Sequence, residues 1–418
     1  MKNQKKENEM ERKKALRNIA LYKWYIIFRE PLMWGPILIS CLTQLGHMKL
    51  EEIYFMEAIV LLGFIFLEPP SGALADLIGR KKMIVIGAGC EVVSIVWFSY
   101  IQTPVDVWGA NIVWMIGASF ASGANTSLIY DTLVELDMEH TYEKLESIVV
   151  SHFLLVTAIF SLLSGVLAGV HLRLPIVLSI PGVLICFCIA LCFTETGDVE
   201  KKVKKHKITL HEMFLILKTT FKAINKLMKV SLLFVANNKE IKWIVCFSTL
   251  ITVASKVWFF TYNPYFELVH LDVRYYGLVF FWLNVVAWFF CKNAYRIKSR
   301  LGEARVVTLL LFAIVVPITV MGTFVGVLSI SLVLMQNVVR GMARPFFSAF
   351  LHKHITSEKR ATVDSIGSAV NGLCQFLALG MFGVMLSVWQ LSFCLQMLGL
   401  TVLVLGVYSL CRYHTVFR

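Results

Sequence analysis

The chain consists largely of long apolar segments separated by short polar stretches. A membrane-spanning helix needs about 20 mostly apolar residues, and a scan with a window of that length predicts about twelve such helices. Their predicted ranges are 24–46, 52–74, 83–101, 107–130, 149–170, 174–193, 241–263, 275–292, 304–325, 328–350, 364–386 and 389–411. The pattern therefore predicts an all-α integral membrane protein.

The overall composition agrees with that prediction and excludes several other classes. Hydrophobic residues make up 57% of the 418 residues, charged residues only 16%, and the mean hydropathy is +0.71. Soluble domains average about 45–50% apolar and about 25% charged residues. This chain has too little polar surface to cover a soluble core. Disordered, collagen-like and disulfide-scaffold proteins are excluded, and a soluble enzyme is disfavoured.

The formal net charge of +13 raises the question of nucleic-acid binding. The basic residues, however, are distributed unevenly between the two sides of the predicted topology. About 34 of the 40 Lys and Arg residues lie in the termini and in the loops of one side, as the positive-inside rule describes for cytoplasmic segments. Only Lys49, Arg173 and Arg274 lie in the loops of the other side. We therefore predict that both termini are cytoplasmic, and we expect no binding to nucleic acid.

A polar stretch near the middle of the chain divides the predicted spans into two sets of six. We predict a basic cytoplasmic N-terminus at 1–23, a six-helix bundle at 24–193, a cytoplasmic linker at 194–240, a second six-helix bundle at 241–411 and a cytoplasmic C-terminus at 412–418. Within the linker, apolar residues and lysines recur with helical spacing from Leu210 to Val235. That spacing is typical of a helix on an anionic membrane surface, and the groove of a partner protein is the alternative.

An internal repeat supports the division into two halves. Gly123 is followed 25 residues later by Ile148, and Gly341 is followed 25 residues later by Ile366. Both segments begin near the end of the fourth span of a half, cross a polar loop and enter the fifth span. Repeated halves with a binding site at their interface are an arrangement of membrane transporters.

The sequence contains no pattern of a cofactor or metal site. Its ten cysteines lie almost entirely within predicted spans and lack metal-type spacing, so we interpret them as small, reduced, buried residues. Nothing resembles a phosphate-binding loop for nucleotides. We therefore predict no cofactor and no metal, and an ion gradient as the source of energy, with protons as the first choice of coupling ion.

The loop between the second and third spans has the most informative sequence, Gly72-Ala-Leu-Ala-Asp76-Leu-Ile-Gly79-Arg80-Lys81-Lys82. Gly72 would let two helices approach closely, and Gly79 would permit a tight turn. Asp76 can accept hydrogen bonds from a helix N-terminus and from an arginine such as Arg80. Such a contact would close the cytoplasmic side in one conformation and break in the other. The alternative is that Arg80 and Lys81 only fix the topology.

This string resembles the loop signature GxLaDrxGrkxxl of the major facilitator superfamily of secondary transporters. Three further segments resemble a bacterial exporter branch of that family: Glu68-Pro-Pro-Ser-Gly72 with Ala75-Asp76, Ser122-Gly123 with Leu128-Ile129-Tyr130-Asp131, and Arg360-Ala-Thr-Val-Asp-Ser. The resemblance implies twelve helices in two pseudo-symmetric six-helix bundles and transport by alternating access. It also implies that the loop acts as a gate, with Glu68 supporting Asp76.

The chain departs from the family pattern in two places. The second-half loop from Arg296 to Arg305 keeps basic residues and Gly302 but has Ser299 where the acid would be, which predicts an asymmetric latch centred on the first half. Proton-coupled drug antiporters of this family have an arginine in span four and a proline-containing GPxxGG run in span five. Residues 114–123 contain no arginine and residues 161–169 no proline, so the resemblance to those antiporters is less complete.

Ionisable residues inside the predicted spans are candidates for coupling or substrate binding, because a charge within the bilayer is costly. These candidates are Arg29, Glu30, Glu91, Asp131, Lys256 and Arg340. Structural alternatives remain open for them: Arg29 and Glu30 can pair with each other, and Asp131 can end a solvated helix. Glu91 can pair with a lysine, and Lys256 can have an acidic partner or extend to the membrane surface.

Aromatic and amide side chains within the spans are candidates for the lining of a substrate cavity. We select Trp34, Trp258, Tyr262, Asn284, Asn337 and Asn371. Aromatic rings bind hydrophobic or cationic ligands, but many aromatic residues in membrane proteins are interfacial anchors. Amides hydrogen-bond across helices or to substrate, and the sequence leaves both roles open.

These observations predict a monomeric, multi-pass transporter of the bacterial inner membrane rather than an enzyme. Its partners would be a small molecule, protons or another coupling ion, and the lipid bilayer. Proton-coupled export of a small amphipathic compound is the first hypothesis. Uptake of a nutrient or metabolite is the alternative.

Overall fold

The computed structural model describes residues 2–196, 237–355 and 360–417. Within these ranges the chain is helical and contains no β-strand, which confirms the all-α prediction. Eight of the described helices are long and apolar enough to cross a membrane. Large apolar side chains on these helices are exposed, for example Val166 at 63% and Val384 at 68%, as expected of surfaces that face lipid.

Eight α-helices lie before residue 197 in the part of the chain that the structure describes. They are α1 (Lys2–Phe28), α2 (Leu38–Gln44), α3 (Leu50–Ile78), α4 (Arg80–Phe98), α5 (Pro104–Val134), α6 (Tyr142–Val170), α7 (Leu174–Val177) and α8 (Ile180–Cys192). Thr103 begins α5 with a capping box, because its hydroxyl accepts from the Asp106 N–H while the Asp106 carboxylate accepts from the Thr103 N–H.

Seven further helices follow in the described residues after 236. They are α9 (Lys239–Phe259), α10 (Tyr262–Leu268), α11 (Tyr276–Leu301), α12 (Glu303–Thr323), α13 (Val333–Lys353), α14 (Arg360–Val388) and α15 (Leu391–Val416). Each of the twelve predicted spans thus coincides with one helix or a pair of helices. The predicted amphipathic segment from Leu210 to Val235 lies outside the described residues.

The first predicted span, 24–46, is not one continuous helix, and that prediction is wrong. Helix α1 ends at Phe28 and α2 begins only at Leu38. Pro31 and Pro36 lie in the interruption, together with Gly35. A proline lacks a backbone donor and disfavours helical conformation at the preceding residue, so two prolines five residues apart interrupt the helix. The apolar pattern continues across the break, which is why hydropathy alone did not detect it.

The described helices belong to two compact units. The first unit comprises Met1–Trp34, Gly63–Val156 and Arg173–Asn225, and the second comprises Gly35–Leu62, Thr157–Leu172 and Lys226–Arg418. The core of the first unit contains Tyr25, Ile84 and Leu128. The core of the second contains the fully buried aromatic residues Tyr54, Trp258, Tyr262 and Phe266.

Glycine pairs bring helices close together inside each unit. In the first unit, a Cβ added to Gly87 of α4 would lie 2.7 Å from the carbonyl oxygen of Gly117 in α5. In the second, a Cβ on Gly165 of α6 would lie 2.7 Å from the backbone nitrogen of Gly277 in α11. Small residues allow such backbone approach between helices in membranes. Any larger residue at these four positions would separate the helices.

Candidate functional site

The break after α1 places two charged residues beside a buried carboxylate in the first unit. Arg29 and Glu30 form an ion pair of 3.3 Å, with side chains 32% and 48% exposed. Glu91 lies near the middle of α4, is only 3% exposed, and interacts electrostatically with Arg29 and Glu30. Its Oε2 atom has no hydrogen-bond partner within the described part of the chain. The structure therefore brings three of the sequence candidates together around an interrupted helix.

The surroundings of this charged group include a second buried polar side chain. Tyr25, one turn before Arg29, is completely buried, and its hydroxyl lacks a hydrogen-bond partner among the described residues. Cys186 of α8 donates weakly from its Sγ to the Tyr25 carbonyl at 3.7 Å. An unpaired buried polar atom is costly, so Tyr25 and Glu91 are unusual among buried residues.

In the second unit, Lys256 has an acidic partner. Its Nζ lies 3.8 Å from Oε2 of Glu57 in α3, and the two side chains are 33% and 13% exposed respectively. The Lys256 ammonium group also lies 4.8 Å from the centre of the Phe260 ring. One turn before Glu57, the Tyr54 hydroxyl donates to the Val257 carbonyl at 2.9 Å, which fixes α3 against α9. Of the alternatives predicted for Lys256, the structure shows the one in which the lysine pairs with an acidic residue.

Three other candidates meet between α10 and α13. The Tyr262 hydroxyl donates to the Gln336 side-chain carbonyl, and the same oxygen accepts from the Asn337 amide at 3.2 Å. Arg340, exposed on α13, donates to the Asn337 side-chain oxygen at 3.5 Å. This chain of hydrogen bonds connects a buried phenol with an exposed guanidinium group.

The remaining cavity candidates have mostly structural contacts. Trp258 is fully buried and packs edge-on against Tyr262, with 5.9 Å between ring centres, so it is not an interfacial anchor. Asn371 accepts from the Thr252 hydroxyl at 2.7 Å. Asn284 donates to the Phe280 carbonyl at 2.9 Å within its own helix, and its side-chain oxygen is buried without a partner in the described chain. Trp34 packs edge-on against Phe98, with 5.1 Å between ring centres.

The predicted gate loop lies between α3 and α4, in the first unit. The Arg80 guanidinium group, 13% exposed, donates to Asp76 at 3.2 Å, to the Ser127 carbonyl at 2.9 Å and to the Asp131 carboxylate. Asp76 itself is 64% exposed. Two of the sequence candidates from different groups, Asp76 and Asp131, thus share one arginine that ties α3, α4 and α5 together.

The other residues of the gate loop have different surroundings from those expected. A Cβ added to Gly72 would meet no atom within 4 Å, so no close contact requires glycine there. Gly79 has a φ of +108°, which does require glycine. Glu68 is exposed, and only its backbone carbonyl has a described contact, with the Ser71 hydroxyl at 2.7 Å. Lys81 contributes its backbone N–H, which donates to Glu195 Oε2 at 3.0 Å.

Sequence reasoning missed Glu195, which follows α8. Burial raises the pKa of Glu195, although the backbone hydrogen bonds from Lys81 and Arg80 and the charge of Arg80 act in the opposite direction. Its carboxylate lies at the N-terminus of α4, where helix dipoles favour negative charge. Nothing in the local sequence indicated the contact, because Lys81 and Glu195 are 114 positions apart.

The charges of the second-half loop were also missed. Glu303 begins α12 and lies 3.3 Å from Lys298 and 3.2 Å from Lys353. The second half thus has an ionic network of its own, with an acid four residues after Ser299, whereas the asymmetric latch centred on the first half stays a prediction. The signal was available: Glu303 follows Gly302 as Arg80 follows Gly79. Glu57, by contrast, had no sequence signal that paired it with Lys256.

Comparisons with known proteins identify the family from a sequence model and the fold from solved structures. The family model described as Major Facilitator Superfamily matches residues 33–379. The solved structure of the nucleoside transporter NupG has a TM-score of 0.71 and 14% identity, covering 97% of this chain and 99% of that one. A D-xylose-proton symporter has a TM-score of 0.68 and 13% identity, covering 94% and 96%. A POT family transporter in complex with 5-aminolevulinic acid has a TM-score of 0.68 and 11% identity, covering 97% and 96%. A search of curated protein sequences found no match.

Proposed function

Because the chain belongs to the Major Facilitator Superfamily, we propose that it exports a small amphipathic compound in exchange for protons. Membership in the family makes it a multi-pass membrane transporter. Beyond this, we propose that the protein is a monomer in the bacterial inner membrane with both termini in the cytoplasm, and that it exports its substrate in exchange for protons. The six-plus-six division of the chain with its linker at 194–240 belongs to this proposal as well.

The observation that best supports the proposal of proton coupling is the Glu57–Lys256 ion pair. A charged side chain within a membrane helix is costly, so such residues are rare and are usually kept for function. Glu57 can carry a proton, and a neutral Glu57 no longer attracts Lys256. Protonation would thus break the contact between α3 and α9, and deprotonation would restore it.

Contacts elsewhere in the second unit support alternating access. The Asn263 amide donates to the Pro36 carbonyl at 2.6 Å, and the Ser40 hydroxyl donates to Glu267 at 2.8 Å. Gly165 and Gly277 approach as described above. In the predicted topology all these residues lie at the outer ends of helices from both halves. A conformation with these ends in contact is closed toward the outside, and transport would require the contacts to separate.

Substrate binding is proposed for the charged groups near the interrupted helix and near α13. Arg29 and Glu30 lie at a helix break, and broken helices form binding sites in transporters. Glu91 beside them is a second candidate proton site. Arg340 with Asn337 offers hydrogen-bond donors, and aromatic Phe260 beside Lys256 offers an apolar surface.

The direction of export is supported by the three segments that resemble the exporter branch, at Glu68, at Ser122 and at Arg360. Uptake is the second candidate, favoured by the names of two structural relatives, a nucleoside transporter and a D-xylose-proton symporter. The absence of an arginine from residues 114–123 also separates the chain from typical drug antiporters.

An accumulation experiment tests export and coupling together. Cells that express the protein receive a panel of cationic and neutral dyes, with and without a proton uncoupler. We expect lower accumulation of at least one dye than in control cells, and recovery to the control level with the uncoupler. Higher uncoupler-sensitive accumulation than in control cells would instead establish uptake. Accumulation equal to that of control cells for every compound would contradict the proposal of export.

Variants connect that result to the ion pair. Glu57→Gln removes the proton site and should abolish the uncoupler-sensitive difference in dye accumulation. Glu52→Gln should leave that difference unchanged. Glu52 is a matched control in the same helix, because its exposed carboxylate only accepts from the Lys49 N–H at 2.9 Å. Equal transport by Glu57→Gln and wild type would exclude Glu57 from coupling.

The gate is tested separately with Asp76→Asn. The exposed Asp76 contributes little to stability, so expression and ligand binding should remain while turnover falls several-fold. Unchanged transport by this variant would remove the gating role of Asp76.

A further inference from the structure

A polar cavity lies at one end of the second unit, and none of the residues discussed for coupling lines it. Its volume is about 410 Å³, within the range of about 300–1,000 Å³ that small-molecule sites occupy. The residues that determine its chemistry are Ser40, Gln44, Leu172, Glu267, His270 and Tyr276. They come from α2, the end of α6, the end of α10 and the start of α11.

Glu267 supplies the carboxylate of this cavity. Its Oε1 atom accepts two hydrogen bonds, from the Ser40 hydroxyl at 2.8 Å and from the Gln44 amide at 3.2 Å. These two donors hold the carboxylate in place. Within the described residues Oε2 accepts no hydrogen bond, so it remains available to a donor inside the cavity.

The electrostatic surroundings favour a positively charged ligand. Asp272, close to the cavity in the chain, adds a second carboxylate and accepts from the Arg274 N–H at 2.9 Å. The cation Arg274 is not one of the residues that line the cavity, and its side chain packs on Gly169 of α6. His270 lies two residues after α10 with a φ of +57°, and this exposed residue borders the cavity.

The rest of the wall is apolar and aromatic. Leu172, Leu271 and Val273 face the same space, and the ring of the buried Tyr276 lies among them. A carboxylate opposite an aromatic ring recognises an ammonium group through a charge-assisted hydrogen bond and a cation–π contact. The aliphatic side chains suit the apolar part of such a ligand.

We propose that this cavity binds a small organic ammonium compound, with Glu267 Oε2 accepting from the ammonium group and Tyr276 packing against it. The cavity holds a site separate from the Glu57–Lys256 pair and from Arg29. The proposal requires neither export nor proton coupling, so binding can be tested even if the transported compound differs.

Isothermal titration of the purified full-length protein in lipid nanodiscs tests the proposal. The probe is 2-phenylethylamine, and its neutral counterpart is 2-phenylethanol. We expect the amine to bind and the alcohol to bind at least about tenfold more weakly, because the alcohol lacks the charge-assisted hydrogen bond. Equal affinities of the two compounds, or no binding of the amine at millimolar concentration, would overturn the proposal.

Two variants assign the binding to the cavity. Glu267→Gln keeps an acceptor for Ser40 and Gln44 but removes the charge, so the amine should bind about tenfold more weakly. Leu172→Trp fills the cavity without altering any charge and should abolish binding, which keeps the test decisive if the first variant does not fold. Glu52→Gln, a carboxylate outside the cavity, is the control. Wild-type affinity in either Glu267→Gln or Leu172→Trp would place the binding elsewhere and contradict the proposal.

Discussion

The loops before α4 and before α12 have the same backbone design and opposite charges. Each turns at a glycine with positive φ, +108° at Gly79 and +80° at Gly302, and each is followed at once by a charged residue. In the first loop that residue is the cation Arg80, held by the acids Asp76 and Asp131. In the second it is the acid Glu303, held by two lysines from α11 and α13.

The difference shows two ways to stabilise the N-terminus of a membrane helix. A helix N-terminus attracts negative charge, and Glu303 supplies it from the first residue of α12. Helix α4 begins instead with Arg80 and Lys81, and its carboxylate comes from Glu195, far along the chain. The absence of an acid at position 299 therefore does not mean that the second loop lacks an ionic network. In that loop the charges are reversed, with one acid, Glu303, held by two lysines.

The largest effect is expected for Arg80→Ala. The variant removes the donor shared by Asp76, Asp131 and the Ser127 carbonyl, and so it breaks the contact that holds α3, α4 and α5 together. Uncoupler-sensitive transport in cells should fall at least about tenfold, which corresponds to about 1.4 kcal/mol. Lys82→Ala, an exposed neighbour, is the control and should transport normally. Normal transport by Arg80→Ala would show that the first loop has no gating role.

Reversal of charges in the second loop should have a smaller effect. Glu303→Lys places three cations together and should reduce the initial transport rate about threefold to tenfold, or about 0.6–1.4 kcal/mol, which lies within the range of interaction energies between neighbouring residues. Combining it with Lys353→Glu restores an ion pair and should recover part of the rate. If the double variant were no better than the single one, the Glu303–Lys353 contact would not contribute to transport.

Glycine replacement in the second loop should affect stability rather than turnover. Gly302 has φ +80° and ψ +165°, a region that is nearly exclusive to glycine, so Gly302→Ala should cost about 1–3 kcal/mol. A Cβ there would meet no atom within 4 Å, so the cost is conformational. Thermal unfolding in detergent measures it, with Gly326→Ala, also open, as the control. Equal unfolding temperatures of both variants would contradict the assigned strain.

The smallest effect concerns pH and Glu195. Its raised pKa means that the folded state holds the proton more tightly than the unfolded state, in which a glutamate has a pKa of about 4.3. The stability that Glu195 contributes is present below that value and is lost as pH rises through the raised folded-state pKa. Glu195→Gln should therefore gain stability relative to wild type as the pH rises from the unfolded-state value of about 4.3 through the raised folded-state pKa. A difference in unfolding temperature that does not change with pH would contradict this reasoning.

The sequence predicted the spans, the family and the first loop because these depend on local pattern. Hydropathy located twelve apolar segments that coincide with one helix or a pair of helices, the first of them interrupted, and the motif from Gly72 to Lys82 indicated the charged loop. The break between Phe28 and Leu38 was marked by two prolines, but a hydropathy window averages over them. The pairing of Glu57 with Lys256 could not be predicted, because residues about 200 positions apart meet only through tertiary packing.

The most direct test of proton-coupled export uses everted membrane vesicles that maintain a proton gradient. A fluorescent probe of that gradient reports proton movement when each compound of the dye panel is added. For an exporter that exchanges its substrate for protons, a transported compound should partly collapse the gradient in wild-type vesicles and leave it intact in Glu57→Gln vesicles. An identical gradient in wild-type, Glu57→Gln and protein-free vesicles with every compound would contradict the account.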